Sequence, residues 1–292
     1  MEINHQGKTF VVSGATSGIG LATTQALVDQ GAFVIGIGRS EERCWAVKKQ
    51  VQAQARHTDG QVMMLVADLS LQSKIRALRP EIENLLRDYG RQGLDGLVNN
   101  AGTFTYWLSL TPEGFEMQWA VNTLAPFLLS TVLLPLLMQI PSARIVTVSS
   151  DSHFQGRMHW DDLQLRRHYN GLQAYENTKL ANVLFTQAFN RLMGEQATVK
   201  AFAADPGLVK TEIGFKGTPA LVRWIWARRR AGGTLPEVPA RNIAYLLTEP
   251  SLQTSDQPYW KDCKPKKASK RALDIQAAER LWAELEKMCG LA

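Results

Sequence analysis

Short runs of β-branched and apolar residues alternate along this chain with longer segments of helical pattern, and no other feature constrains the fold as tightly. The runs occupy residues 9–12, 33–35, 62–66, 94–98, 145–148 and 199–203, and each has strand character. Between them, residues 19–30, 41–55 and 71–89 are long enough to cross back over a sheet as helices in right-handed βαβ units. The strands read as apolar throughout because both faces of such a sheet are covered. The expected architecture is α/β: a doubly wound parallel sheet with helices on both faces. No Pro/Gly/Ser tract interrupts the rhythm before about Thr211, and no solenoid repeat occurs, so residues 1–292 are expected to form a single domain.

Composition excludes several classes. At 45% apolar and 21% charged residues, the chain is neither disordered, collagen-like nor a coiled coil. Three cysteines, Cys44, Cys263 and Cys289, form no CxxC and no closely spaced even set, which argues against a disulfide framework or a zinc cluster and for a reducing, cytoplasmic location. The N-terminus has no basic segment followed by a cleavable apolar stretch. The apolar run 124–140 carries Pro126 and Pro135, which are expected to break it short of a spanning helix. The net charge of +6 is concentrated at 228–230 and 261–271, read as solvated surface rather than a nucleic-acid face.

Two regions break the rhythm, about 151–172 and 212–239, and insertions of this kind tend to lie at strand ends where substrates are handled. Within the second, Trp224 and Trp226 precede Arg228, Arg229 and Arg230; residues 224–230 read as a substrate-site lid, with a weak, peripheral membrane-surface contact as the alternative. Residues 274–289 read as an amphipathic terminal helix packed on the body through Leu273, Ala277, Leu281, Trp282 and Leu285.

After the first strand comes Ser13-Gly14-Ala15-Thr16-Ser17-Gly18-Ile19-Gly20. A strand that turns sharply into a helix needs residues without Cβ where backbone meets ligand, and the helix N-terminus offers free N–H groups to a pyrophosphate. Gly14, Ser17, Gly18, Ile19 and Gly20 are therefore the candidate dinucleotide cradle. The second strand ends Gly36-Ile37-Gly38-Arg39-Ser40, with no carboxylate for an adenosine ribose. Arg39, supported by Ser40, offers a planar cation to a 2′-phosphate, so NADP(H) is favoured over NAD(H); alternatively Arg39 stacks on adenine or faces water. Further on, Tyr175 and Lys179 are one helical turn apart on one face. A nearby ammonium favours the ionised form of a phenol whose pKa is otherwise about 10, which would make Tyr175 a usable acid or base. Ser150 ends the fifth strand, where a hydroxyl can hold a substrate oxygen as charge develops.

Taken in order, Gly14, Gly18 and Gly20, Asp68-Leu69, Asn99-Asn100-Ala101-Gly102, Asn122, Ser149-Ser150, Tyr175 with Lys179, and Pro206-Gly207 make the chain resemble the short-chain dehydrogenase/reductase family over nearly its whole length. The 151–172 insertion with His159-Trp160-Asp161-Asp162, and the tail from Tyr259-Trp260 to Trp282, are similar to the retinol dehydrogenase and WW-domain oxidoreductase branch. The resemblance implies a Rossmann-type fold and reversible hydride transfer between a nicotinamide and the carbonyl or alcohol carbon of an apolar small molecule. It implies that Ser150, the second of the serine pair, is the active one, and that Asn122 supports a water path to Lys179. It assigns Asp68 to the adenine amine, Leu69 to the neighbouring edge, and Asn100, Ala101 and Gly102 to the adenosine ribose side. Lys179 would also grip the nicotinamide ribose, Pro206, Gly207, Val209 and Thr211 would close over the nicotinamide, and Asn99 would be structural. Pairing of two chains through long helices such as the one carrying Tyr175 is a further implication.

The other reading is a non-catalytic NADP(H)-binding regulator, which would have no need of Ser150, Tyr175 and Lys179. His153, His159 and His168 lack metal-ligand spacing and are assigned surface or capping roles; no metal is expected. Phe104, Trp107, Phe154, Phe215 and Trp224 are either an apolar wall for substrate or packing.

Overall fold

The computed structural model describes residues 5–194, 198–209 and 232–292. Thr211, Phe215, residues 224–230 and most of the 212–239 insertion lie outside the described residues. The described residues form an eight-stranded sheet of order β3-β2-β1-β4-β5-β6-β7-β8. Its strands are β1 (Thr9–Ser13), β2 (Phe33–Gly38), β3 (Gln61–Val66), β4 (Gly96–Asn99), β5 (Ala143–Val148), β6 (Val199–Ala204), β7 (Tyr259–Lys261) and β8 (Lys264–Pro265). Every pairing from β3 across to β7 is parallel, and β8 folds back antiparallel on β7. All six expected strands are present. The β7–β8 hairpin was not expected, because two or three residues are too few to show a period. Its two-residue turn uses Asp262 and Cys263 at φ of 49° and 60°, a left-handed pair that a glycine would usually mark.

Among the described residues the α-helices are α1 (Gly18–Val28), α2 (Glu41–Gln54), α3 (Gln72–Asp88), α4 (Met117–Leu137), α5 (Gly171–Met193), α6 (Glu237–Thr248) and α7 (Ile275–Met288). Alternation along the strands divides the core in two. Phe10 and Val12 face a layer with Leu27 of α1, Val51 of α2 and Leu246 of α6, while Val11 faces the opposite layer with Ile82 of α3, Phe127 of α4, Leu184 of α5 and Leu281 of α7. Caps fix where several helices begin: the side chains of Ser40, Asn170 and Asp274 accept from the N–H groups of Arg43, Gln173 and Ala277.

Three expectations need correction. Pro126 and Pro135 do not break the apolar run: Pro126 lies just after the π-helical turn Ala120–Leu124, where the i→i−4 ladder is already interrupted, and Pro135 lies in the last turn, so α4 continues for 21 residues. By length and composition α4 could cross a membrane, yet 72% of its most apolar window is buried against the sheet and its neighbours. The edge strand β3 is not covered on both faces, and its ends Gln61 and Val66 are exposed. On the terminal helix, Leu273 precedes the cap and is exposed; the buried stripe is Ala278, Leu281 and Leu285.

Trp282 lies beside that stripe, with its ring 5.0, 6.0 and 6.4 Å from those of Phe127, Phe185 and Phe189. Trp282→Ala is expected to lower the unfolding free energy by about 3 kcal/mol, and Leu273→Ala to change it by less than about 0.5 kcal/mol. Urea denaturation of the two variants checks this, and similar losses in both would contradict the orientation of α7.

Candidate active site

The strand order reverses between β1 and β4, and the carboxyl end of such a switch point is where a doubly wound sheet has its ligand crevice. Ser13, the polar last residue of an apolar strand, is buried there; its Oγ donates to Val98 O at 3.1 Å and accepts from the N–H groups of Asn100 and Ala101 at 3.0 and 3.1 Å. Asn100 Nδ2 returns bonds to Ser13 O and Gly14 O at 3.0 and 3.3 Å. The loops after β1 and β4 are thereby pressed together. Gly14 has φ of 67° and a Cβ there would stand 2.9 Å from Ala101 Cα; a Cβ on Gly20 would collide with Gly14 O and Asn100 Nδ2.

Ser17 is extended, its side chain caps nothing, and the first turn of α1 carries no carboxylate. The N–H groups of Gly18, Ile19 and Gly20 therefore face outward at the positive end of a helix dipole, the environment a pyrophosphate requires. At the end of β2, Arg39 is exposed and Ser40 caps α2. Asp68 follows β3 and spends Oδ1 on Ser70 N at 3.0 Å, while Leu69 beside it is buried. These residues fit a nicotinamide dinucleotide.

The second constellation lies on the other side of the crevice, where β5 meets α5. Ser149 is buried and its Oγ donates to Lys179 O at 2.8 Å, docking the strand end on the helix. Ser150 is partly exposed, and its Oγ accepts from Ser152 N at 3.1 Å. Lys179 Nζ donates to Val148 O at 3.0 Å and stands 5.3 Å from the centre of the Tyr175 ring. The helix thus brings phenol and ammonium together as their spacing demands.

Their electrostatics differ from the sequence expectation. Burial, then the charge of Asp205, pushes the Tyr175 phenol up to about 12, and burial pulls the Lys179 amine down to about 8. Desolvation outweighs the attraction that was to lower the phenol.

Asn122 occupies a π-helical turn, Ala120–Leu124, inside α4, a local widening common at functional positions. Its amide accepts from Thr103 N at 2.7 Å and donates to Thr103 O at 2.9 Å and Thr178 Oγ1 at 3.2 Å. It hydrogen-bonds the loop after β4 and the neighbour of Lys179 rather than Lys179 itself. Asn99 is structural as expected, donating to Ser130 Oγ at 2.9 Å and Thr147 Oγ1 at 3.3 Å, while the Asn100 side chain braces the loop.

Pro206 and Gly207 follow β6, with Gly207 at φ of 67°, and Val209 bridges to Thr234. Phe104 is buried edge-on to Tyr175 at 5.9 Å. Trp107 is exposed, and Phe154 packs on His153. His159 and His168 line an open cleft of about 430 Å³ with Trp160, whose ring carries the Arg280 guanidinium at 4.4 Å.

His153 is not a surface residue. It is fully buried, accepts from Ser269 N at Nε2 (3.0 Å), and therefore carries its proton on Nδ1, which donates to Ser150 O at 2.8 Å. Ser13, His153 and Asp205 are the residues that sequence reasoning did not place at the site. Two of them carried a signal: a serine closing an apolar strand and an acid directly before Pro206-Gly207.

This geometry agrees with the comparisons. The family described as short chain dehydrogenase matches residues 8–219. Human retinol dehydrogenase 14 is 34% identical over 98% of this chain and 87% of its own. A crystal structure of an uncharacterized protein from Mycobacterium paratuberculosis superposes with a TM-score of 0.72 at 30% identity, covering 98% of this chain and 95% of that one. The NADP-bound angucycline C-6 ketoreductase LanV shares the fold with a TM-score of 0.69 at 24% identity, over 89% and 95% of the two chains. The chain belongs to the short-chain dehydrogenase/reductase family, in its retinol dehydrogenase branch.

The lowered pKa of Lys179 has a testable sign. Between about pH 8 and 10.4 the unfolded lysine holds a proton that the folded one has released, so its burial penalty, complete below pH 8, is relieved as pH rises. Wild-type stability measured relative to Lys179→Met is expected to improve by about 2 kcal/mol from pH 8 to pH 10. Chemical denaturation at the two pH values checks this, and a constant difference would show that Lys179 stays ionised.

Proposed function

We propose that this protein is an NADP(H)-dependent oxidoreductase that interconverts the alcohol and carbonyl forms of an apolar small molecule, an aldehyde, a ketone or a retinoid-like compound. The observation that carries the reading is Tyr175 lying beside Lys179 at the carboxyl end of β5, across from the glycine loop of α1. NADP(H), when bound, supplies or accepts the hydride. Gly14, Ser17, Gly18, Ile19 and Gly20 would hold its pyrophosphate, Arg39 and Ser40 its 2′-phosphate, and Asp68 and Leu69 its adenine. The backbone of Asn100, Ala101 and Gly102 would line the ribose, and Pro206, Gly207 and Val209 the nicotinamide side.

Ser150 Oγ holds the substrate oxygen, and Tyr175 delivers the proton. A phenol held near 12 is fully protonated at neutral pH and still far more acidic than the alcohol being formed, which suits it as the acid of carbonyl reduction. Lys179 supplies a cation beside the phenol and a hand on the ribose. Asn122 ties the loop after β4 to α5, keeping the two halves of the site in register. Phe104 against Tyr175, together with a relative named as a retinol dehydrogenase, supports an apolar substrate.

The test follows NADPH absorbance with a panel of aromatic, aliphatic and polyene aldehydes and ketones. Tyr175→Phe is expected to cut kcat at least 100-fold, and equal rates in the two proteins would remove Tyr175 from the mechanism. Retained NADPH binding without turnover of any panel member would favour the regulator. Separately, Arg39→Ala is expected to raise KM for NADPH about tenfold while leaving NADH nearly unchanged, the loss of one charged contact. Equal effects on both would assign Arg39 to stacking or solvent.

A further inference from the structure

Gln118 is fully buried near the start of α4, four residues ahead of Asn122, and belongs to neither the nucleotide loop nor the Tyr175 helix. Three acceptors converge on its Nε2: Tyr169 Oη and Gly171 O, each at 2.9 Å, and Thr105 O at 3.2 Å. The convergence fixes which way the amide points, because the two carbonyls can only accept. Tyr169 Oη also bonds Thr105 Oγ1 at 2.8 Å and donates to Glu116 Oε1 at 2.9 Å. Burial, then the charge of Glu116, pushes the Tyr169 phenol up to about 12, so the hydroxyl keeps that proton at neutral pH. Glu116, buried as well, accepts from the N–H groups of Gln118 and Trp119 and so is fastened to the first turn of α4.

The segments joined here border the reacting groups. Thr105 follows Phe104, whose ring stands edge-on to Tyr175 at 5.9 Å, and Gly171 opens α5 one turn before Tyr175. The two backbones touch, since a Cβ on Gly171 would collide with Thr105 O. On the other flank of Phe104, Asn122 holds both the N–H and the carbonyl of Thr103. α4 therefore grips the chain on either side of Phe104, through Asn122 at Thr103 and through Gln118 at Thr105. The neighbouring aromatic residues do not replace Phe104: Tyr106 and Trp107 pack edge-on to each other at 4.8 Å, and Trp107 is exposed.

Burying an amide, a phenol and a carboxylate together costs free energy that an apolar contact would avoid, and what directed hydrogen bonds add is a fixed geometry. We propose that Gln118 is a positioning residue for substrate selectivity: with Tyr169 it clamps the loop after β4 onto the first turn of α5 and holds the Phe104 ring against Tyr175 as a fixed apolar wall, which favours elongated apolar carbonyl compounds over short ones. A wall fixed in place rewards a substrate long enough to pack along it; a wall that swings loses that contact and leaves a short substrate indifferent. The inference rests on the reading of Tyr175 as proton donor to an apolar carbonyl compound.

The test compares kcat/KM for a polyene aldehyde and a short aliphatic aldehyde at saturating NADPH. The polyene-to-aliphatic ratio is expected to fall about tenfold in Gln118→Leu and in Phe104→Ala, and about threefold in Tyr169→Phe, which keeps the bonds from Gln118 to Thr105 O and Gly171 O. KM for NADPH is expected to be unchanged in Gln118→Leu. Because both residues act through one ring, Gln118→Leu is expected to lower the ratio no further in a Phe104→Ala background. Fluorine NMR of the fluorotyrosine-labelled protein reads the same contact without turnover, with Tyr175 identified as the resonance missing from Tyr175→Phe. Phe104→Ala is expected to shift that resonance by removing a ring current, and Gln118→Leu to shift it in the same direction. An unchanged ratio in folded Gln118→Leu, full additivity with Phe104→Ala, or an unmoved Tyr175 resonance would overturn the proposal. If Gln118→Leu does not fold, Tyr169→Phe, alone and combined with Phe104→Ala, decides the same question. Equal turnover by wild type and Tyr175→Phe would instead overturn the reading of the site, while the fluorine spectrum would still decide whether Gln118 places Phe104.

Discussion

The fold turns on a brace at the point where β1 and β4 part. One buried hydroxyl, Ser13 Oγ, accepts from two successive N–H groups at the end of β4, and one amide, Asn100, reaches back to two carbonyls at the end of β1. Those bonds satisfy backbone groups that would otherwise be orphaned where the ladder stops. They also hold the two loops so close that Gly14 has no room for a side chain. Because the loop after β1 is fixed this way, α1 starts with its free N–H groups aimed into the crevice, and the anion-binding end of the helix follows from the sheet rather than from any added device.

The reacting side depends on a comparable docking. Ser149 fastens the end of β5 to α5, and Lys179 reaches back to Val148 O, so Tyr175 is presented from a helix and Ser150 from the short link directly after β5. Burial then dominates the electrostatics. It holds the phenol protonated and weakens the ammonium, and the carboxylate of Asp205 adds to the first effect. A protonated phenol waiting beside a partly exposed serine suits the delivery of a proton to an oxygen on which charge is growing.

Most of the fold was legible because its signals are local. Six strands show as short β-branched and apolar runs, the helices between them as longer segments, and the glycine loop shows because only glycine tolerates the backbone at residue 14. What escaped is non-local or too short to carry a period. The β7–β8 hairpin offers four paired residues and a turn without glycine. The π-helical turn at Asn122 leaves no trace in the pattern, since Ala120 to Leu124 read as ordinary helix. Tyr169 meets Gln118 and Thr105 from 51 and 64 positions away, and His153 looked like a loop histidine until Ser269, 116 residues away, was seen to meet it. The sign of the Tyr175 shift was misjudged for a related reason: helical spacing reveals the neighbouring cation but not the depth at which both groups are buried.

The central claim is that one crevice joins a dinucleotide cradle to the Tyr175 and Lys179 pair. A crystal structure of the protein with NADP+ tests it most directly. The expected result places the pyrophosphate on the N–H groups of Gly18, Ile19 and Gly20, the 2′-phosphate at Arg39, and the nicotinamide beside Tyr175 and Lys179. A dinucleotide bound elsewhere, or one in this crevice with its nicotinamide directed away from Tyr175, would contradict it.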